Sequence, residues 1–474
     1  MSEKIQKIHS NYYIRAYYQY FHDAHPLLLP LQALEGPLGT EYVPEKIFTV
    51  MKYIGSHFLT INNTTTEQTD SRDHWRRISA GPTPDKNDTT KHALETEAFS
   101  CLFRPEEDGY QVQCMLLLSI TAHAHGKFLD AIRIINSATS LALKLGMNQH
   151  SFSVVHGYGS PLLEEMWRRC YWELFVVQSL LCALIEESGE LYGVSSDVPL
   201  PCDEGMTDLH VYDAPPPGRH TIHDLLSHCQ NRAQLVDPLP SFAYRIAAAH
   251  FLGSVLTSQS STTATELERF YPRLIEHVDH KSFIGGIASQ PNHIAQMLSQ
   301  TTVIACSAMI YFYRQTSQLT PIKLQRNLFY DQSPFYSSSF SMPVFPSSFI
   351  LQSKHPTSNK NNNSDQFKSN PTSDPSSIHL ISTAKHLATQ LNNPRLVQGT
   401  SPLIIDAIAL AMLVEMAALL IPSLDAAQKE RLENEFGNSL GVLKKFAIRW
   451  PLAKTVRDLL VDEYENLFRP ERAR

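Results

Sequence analysis

The residues with the first claim to chemistry in this chain are its 21 histidines. Four pairs stand close enough to offer two imidazoles to one metal ion: His22 and His25, His123 and His125, His220 and His223, and His277 and His280. A hydrolytic zinc site needs more than a pair, namely a further ligand and a glutamate base in the manner of H-E-x-x-H. None of the four pairs has that form or lies within a Cys/His array, so each reads as an ordinary core or surface histidine. Glu106-Glu107 and Glu186-Glu187 supply neighbouring carboxylates, but adjacent residues on a helix point in different directions. Gly157-Tyr158-Gly159-Ser160 approaches a phosphate-cradling loop, yet it lacks the third glycine, the preceding strand and the acidic partner of a dinucleotide site. Walker sequences, nucleophile elbows and kinase signatures are absent from the 474 residues. The expectation is a chain with no catalytic, cofactor-binding or metal-ligating residues of its own.

One polar constellation is denser. Glu165, Arg168, Arg169 and Trp172 fall at i, i+3, i+4 and i+7, which places them along one side of a helix. The carboxylate can pair with either arginine, and Arg168 can lay its guanidinium on the Trp172 indole four residues on. Such a face turned toward the interior would hold the segment that follows in register, and Pro199 and Pro201 would stiffen that segment from Val198 onward. The motif reads as architectural rather than ligand-binding.

Composition narrows the classes further. Hydrophobic residues make up 43% and charged residues 18% of the chain, enough apolar material for a large core. A formal net charge of −7 opposes binding of nucleic acid by bulk electrostatics. The short basic steps Arg76-Arg77, Arg168-Arg169 and Lys444-Lys445 never grow into a longer run and read as solvated faces or structural ion pairs. Seven cysteines, an odd number with no C-x-x-C pair, fit buried free thiols in a reducing compartment. The N-terminal residues carry no apolar core of a secretory signal. Leu403 to Ile421 is long enough to span a bilayer. It carries Asp406 and Glu415 on opposite faces, and an acid at mid-bilayer costs about 3 kcal/mol, so it is expected to be a buried core helix rather than a membrane span.

The elements that must position these residues are helical throughout. Helices are expected over Tyr12 to Phe21, Pro44 to Phe58, Ala93 to Phe103, Tyr110 to Ala124 and Phe128 to Leu145, the last closed by Gly146 as a left-handed C-cap. The next is predicted from Ser160 as N-cap, through Pro161 in the first turn, to about Glu187. Further helical patterns cover 222–236, 241–257, 264–278 and 292–316, and return from Ile378 to the end. The fold class expected is all-α, a multi-helix regulatory domain with long polar loops. Residues 1–332 and 376–474 read as one helical domain, 60–92 as a polar loop, and 333–376 as a disordered linker rich in Ser, Asn and Pro.

Five segments in order resemble the fungal-specific transcription factor domain, the middle homology region of fungal binuclear zinc-cluster regulators. They are the H-P-L entry at His25 and Pro26, the glutamine-led apolar helix at Gln113, and the A-x-x-L-A-x-x-L-G end at Gly146. After these come Glu165, Arg168, Arg169 and Trp172 as E-x-x-R-R-x-x-W, then Asp197, Pro199, Leu200 and Pro201 as the D-x-P-L-P exit. Two departures stand out: Gln178 replaces a common aspartate, and Glu186 to Glu190 stands where a G-R-P turn is usual.

The resemblance implies a nuclear protein that regulates transcription and has no enzymatic activity. It implies protein partners among other transcription regulators or co-regulators, a small-molecule effector as a candidate ligand, and no membrane. Zinc and sequence-specific DNA binding are implied for a full-length member with its N-terminal cluster of six cysteines. Here only eleven residues precede Tyr12. DNA contact is therefore expected only through a missing or partner zinc-cluster domain. The competing expectations are a cluster-less scaffold or inhibitor acting through a partner regulator, and, from another class, a helical enzyme of a metabolic gene cluster.

Overall fold

Asn11 opens the first helix by accepting hydrogen bonds at Oδ1 from the backbone of Tyr13 (3.0 Å) and Ile14 (3.2 Å). The computed structural model describes residues 11–59, 84–103, 106–202, 220–230, 240–257, 265–274, 276, 292–320, 322, 374–391 and 400–468. The helices run in the order α1 (Tyr12–Tyr20), α2 (Leu31–Leu34), α3 (Pro37–Glu41), α4 (Glu45–Leu59) and α5 (Pro84–Ser100). They continue with α6 (Gly109–Ala124), α7 (Phe128–Lys144), α8 (His150–His156), α9 (Pro161–Ala183), α10 (Ile222–Gln230) and α11 (Ser241–Thr257). The last are α12 (Asn292–Tyr313), α13 (Pro375–Leu391), α14 (Ile404–Leu419), α15 (Ala426–Ala447) and α16 (Pro451–Phe468). No strand occurs among the described residues, so the fold is all-α.

Helix α6 packs on α7, α11 on α12, α14 on α15, and α15 on α16. Helix α1 packs on α4, while α9 touches α7 on one side and α11 on another, which makes α9 the strut between the early and later helices. Its residues from Leu162 to Gln178 are buried with few exceptions. Helix α14 is buried at every position from Ile404 to Leu419, as its uniform apolarity requires. Asp406 within it meets His123 of α6, with Oδ2 2.7 Å from Nε2, so its acid is accommodated by a cross-core partner rather than by solvent. Helix α12 is also long and apolar enough to cross a membrane, but most of His293–Tyr313 is buried inside the protein.

Local signals in the sequence account for several helix ends. Gly146 has φ +75° and completes a Schellman cap on α7, with its N–H donating to Leu143 (3.0 Å) and that of Met147 donating to Ala142 (2.9 Å). Asp425 and Gln428 form a reciprocal capping box at the start of α15. Ser160 takes the N-cap position of α9, but its side chain makes no capping bond, and Pro161 and Glu164 supply the first-turn preference instead.

Two boundaries differ from the expected ones by more than a turn. Helix α9 ends at Ala183 rather than about Glu187, because Glu186 turns to φ +58° and the chain reverses there. Helix α5 begins at Pro84, a residue suited to a first turn, so the last part of the loop expected over 60–92 is helical. Residues 60–83 and 323–373, the latter containing most of the expected linker, lie outside the described residues.

Candidate functional site

Helix α9 gathers the chemistry of the fold at two levels along its length. Toward its own exit segment, Glu165 acts as a hub. Its Oε1 accepts from Arg169 Nε (2.8 Å) and from the backbone N–H of Cys202 (2.9 Å), while Oε2 accepts from Arg168 Nε (3.0 Å). Arg169 also donates through Nη2 to the Cys202 carbonyl at 2.8 Å, so carboxylate and guanidinium together hold both backbone polar groups of one residue. The stacking expected of Arg168 on Trp172 falls instead to Arg169, whose guanidinium lies 4.6 Å from the centre of the Phe242 ring on α11. Trp172 uses its indole N–H on the Pro199 carbonyl at 3.1 Å. Asp197 receives the backbone N–H of His150 at 2.7 Å, fastening the segment to the start of α8. Pro199 and Pro201 thus sit in an extended run held at both ends, beside a buried motif whose side chains bond to one another and to that run.

Two turns further along α9 stands a second ionic centre. Glu173 accepts from Arg245 of α11 through both guanidinium nitrogens, and its Oε1 lies 2.7 Å from His25 Nδ1. All three side chains are within 2% of complete burial. Burial pushes the Glu173 carboxyl up, but the Arg245 charge and the hydrogen bonds from Arg245 and His25 together hold it down at about 2. Burial lowers His25, against the pull of Glu173, and lowers His22 to about 3 with the Arg169 charge adding to the effect. The H-P-L entry is therefore a buried anchor: His25 faces Glu173, and beyond Pro26 the Leu27 carbonyl accepts from Gln113 Nε2 at 3.1 Å.

The departures from the family pattern form a connected patch. Gln178 donates to Thr139 Oγ1 at 2.9 Å and accepts from the Leu191 N–H at 3.0 Å, tying α7 to the turn after α9. Glu186, in that turn, pairs with Arg314 at 2.7 Å.

The sequence motifs pointed to Glu165, Arg168, Arg169 and Trp172, which the structure brings together with Pro199. His25 and Gln113 join a different cluster, and Gly146 serves only as a cap. Glu173 and Arg245 were missed. Arg245 is the lone charge in the apolar run SFAYRIAAAHFLG, and a charge in such a run is seldom buried unless paired. That was the available signal, though not its partner.

Two hollows adjoin these clusters. One, between α9, α11, α12 and α14, is lined by Leu181, Leu252, Ile304 and Leu410 with Asp406 at its edge. At about 30 Å³ it has room for water and not for an effector. The other, about 820 Å³, opens at the surface between residues 265–276, α12 and α13. In its wall Tyr313 stacks on His379 with centroids 4.9 Å apart and donates to Glu268 at 2.9 Å. Among the described residues no group of three or more His, Cys, Asp or Glu is placed to hold a metal ion.

With this geometry in view, residues 11–237 match the fungal specific transcription factor domain. That region, just under half of the chain, is similar to the domain of that description in fungal transcription factors. It is similar to the C6 finger domain transcription factor iacK of Pestalotiopsis fici, 26% identical over 246 residues, which cover 51% of this chain and 32% of that relative. The match thus spans about a third of the relative's length. No solved structure matches the chain.

Proposed function

We propose that the chain is the regulatory region of a nuclear fungal transcription regulator, one that works by holding and presenting surfaces to other regulators and carries out no reaction. The observation that carries this reading is the inward direction of the family motif. Glu165, Arg168, Arg169 and Trp172 are buried and bonded to one another or to Pro199 and Cys202, so the charges of this helix serve as a frame. A net charge of −7 is consistent with contacts to protein rather than to the phosphate backbone. In this reading DNA is contacted by a zinc-cluster module carried elsewhere, on a partner or a longer chain, and this region needs no metal. A small-molecule effector, where one acts, has room in the groove beside Tyr313 and His379, whose volume falls within the range of about 300–1,000 Å³ common to such sites.

The test is a tethering assay. The chain is fused to an unrelated DNA-binding domain in a fungal host whose reporter carries the matching operator. A changed reporter output relative to the DNA-binding domain alone is expected. An output indistinguishable from that control, with the fusion expressed and nuclear, overturns the reading.

A further inference from the structure

Where α1, the turn His22–Ala24, α9, α11 and α12 meet, five side chains keep polar atoms that find no hydrogen-bond partner among the described residues. They are Oη of Tyr17, Nδ1 of His22, Nε2 of His25, Nε of Arg245 and both amide atoms of Gln296. The five residues are 0, 8, 0, 1 and 1% exposed, so bulk solvent does not reach them. They belong to one neighbourhood. The Tyr17 and His22 rings are 6.0 Å apart, His25 and Arg245 share the Glu173 carboxylate, and His22 feels the charge of Arg169 and of His293 on α12. Gln296 lies one turn before Gln300, whose amide donates to the Ala24 carbonyl at 3.0 Å, so Gln296 faces the same turn.

Buried polar groups are almost always hydrogen-bonded, and a cluster of exceptions in one place points to an occupant. We infer that this junction is an internal binding site for a small cluster of ordered water molecules. The chemistry of the lining selects such an occupant. The Glu173 charge is already neutralised by Arg245, and burial keeps His22 and His25 uncharged, so the site has no net charge to offer an ion. Arg245 Nε–H is a donor. With the His25 proton on Nδ1 toward Glu173, its Nε2 is an acceptor. Gln296 supplies one group of each kind, and Tyr17 can act as either. Only a neutral species that donates and accepts at once serves all of them, and water does so with about three bonds per molecule.

The site also has a place in the architecture. Tyr17, His22 and His25 lie within the family domain of residues 11–237, whereas Arg245 and Gln296 lie beyond it. Direct bonds at Arg245 and Gln300 therefore flank a water-bridged contact at Gln296, and the seam between the domain and the helices after it is wet at its centre.

A crystal structure of the full chain at a resolution that shows solvent tests this, together with thermal unfolding of Gln296→Met. Ordered water density within hydrogen-bond reach of Gln296 and His25 is expected, and the variant should melt about 2 °C or more below the parent because its thioether cannot hold the bridge. A dry junction in the density overturns the inference. So does a variant that melts at or above the parent temperature, since replacing an amide that bonds nothing by an apolar chain relieves the protein of an unmet group. Density for a larger molecule in the same place overturns the assignment to water in favour of a captured ligand.

Discussion

Arg245 on α11 closes on Glu173 of α9 with both terminal guanidinium nitrogens, Nη1 2.5 Å from Oε2 and Nη2 2.9 Å from Oε1, and both side chains are 2% exposed. This bidentate pair joins the family domain to a helix outside it. Removing one member of a buried pair leaves the other charge uncompensated, at a cost of about 3–5 kcal/mol. Arg245→Met should therefore lose stability of that order in urea unfolding, well beyond the loss of one surface contact.

Acid should unfold the protein partly through the same carboxylate. Glu173 has a folded-state value of about 2 against an ordinary 4.5, so its contribution is complete above pH 4.5 and is lost as pH falls from there toward 2. Unfolding free energies of the parent, measured over that window, should fall more steeply with decreasing pH than those of Arg245→Met, in which the group that depresses the carboxyl is gone.

Two turns earlier on α9, Glu165→Gln keeps an acceptor for the Cys202 N–H but removes the charge that pairs with Arg168 and Arg169. Arg169 then lacks its buried counter-ion, and Arg168 keeps only the Glu164 carboxylate, 3.5 Å from its Nη1. A loss of about 3 kcal/mol is expected. Amide hydrogen exchange should speed most at residues 197–202, because the grip on that segment runs through Glu165 and Arg169.

How far these relationships were legible in the sequence depends on their range. The i, i+3, i+4 spacing of Glu165, Arg168 and Arg169 foretold their pairing, since a helix fixes those neighbours without reference to anything else. The Schellman cap at Gly146 and the burial of α14 followed in the same way, from one glycine at the end of a periodic run and from apolarity all round. The Glu173–Arg245 and His123–Asp406 contacts join residues 72 and 283 positions apart, and no local pattern encodes which helix lies across the core. The early stop of α9 escaped for a related reason. Leu184 to Glu187 has acceptable helix propensity, and it is the turn anchored by Gln178 on Leu191 and by Arg314 on Glu186 that overrides it.

Gly189 makes that turn testable. A Cβ there would sit 2.8 Å from Gln178 Oε1 and 3.1 Å from its Cδ, displacing the side chain that bridges Thr139 and Leu191. Gly189→Ala should cost about 1–3 kcal/mol. In a Gln178→Ala background the same substitution should cost much less, because the clash has gone, and the double-mutant cycle reads that difference directly.

Glu415 should shape the alkaline side of the stability profile. It lies on α14, 2% exposed, with neither carboxylate oxygen hydrogen-bonded among the described residues, and the Glu435 charge of α15 is close enough to be felt. Burial, reinforced by Glu435, pushes its carboxyl up to about 8 from an ordinary 4.5. Between those two values the folded protein holds a proton that the unfolded chain has released, so stability falls as pH rises from 4.5 through about 8 and levels off above. Lys385 pairs with Glu435 at 3.4 Å and offers Glu415 no direct relief. Glu415→Gln retains the shape and removes the titration. Its unfolding free energy should match the parent near pH 5 and exceed it at pH 8.5, by an amount on the order of 1–3 kcal/mol. A parent profile that stays parallel to that of the variant across this range would place an undetected cation or donor beside the carboxylate.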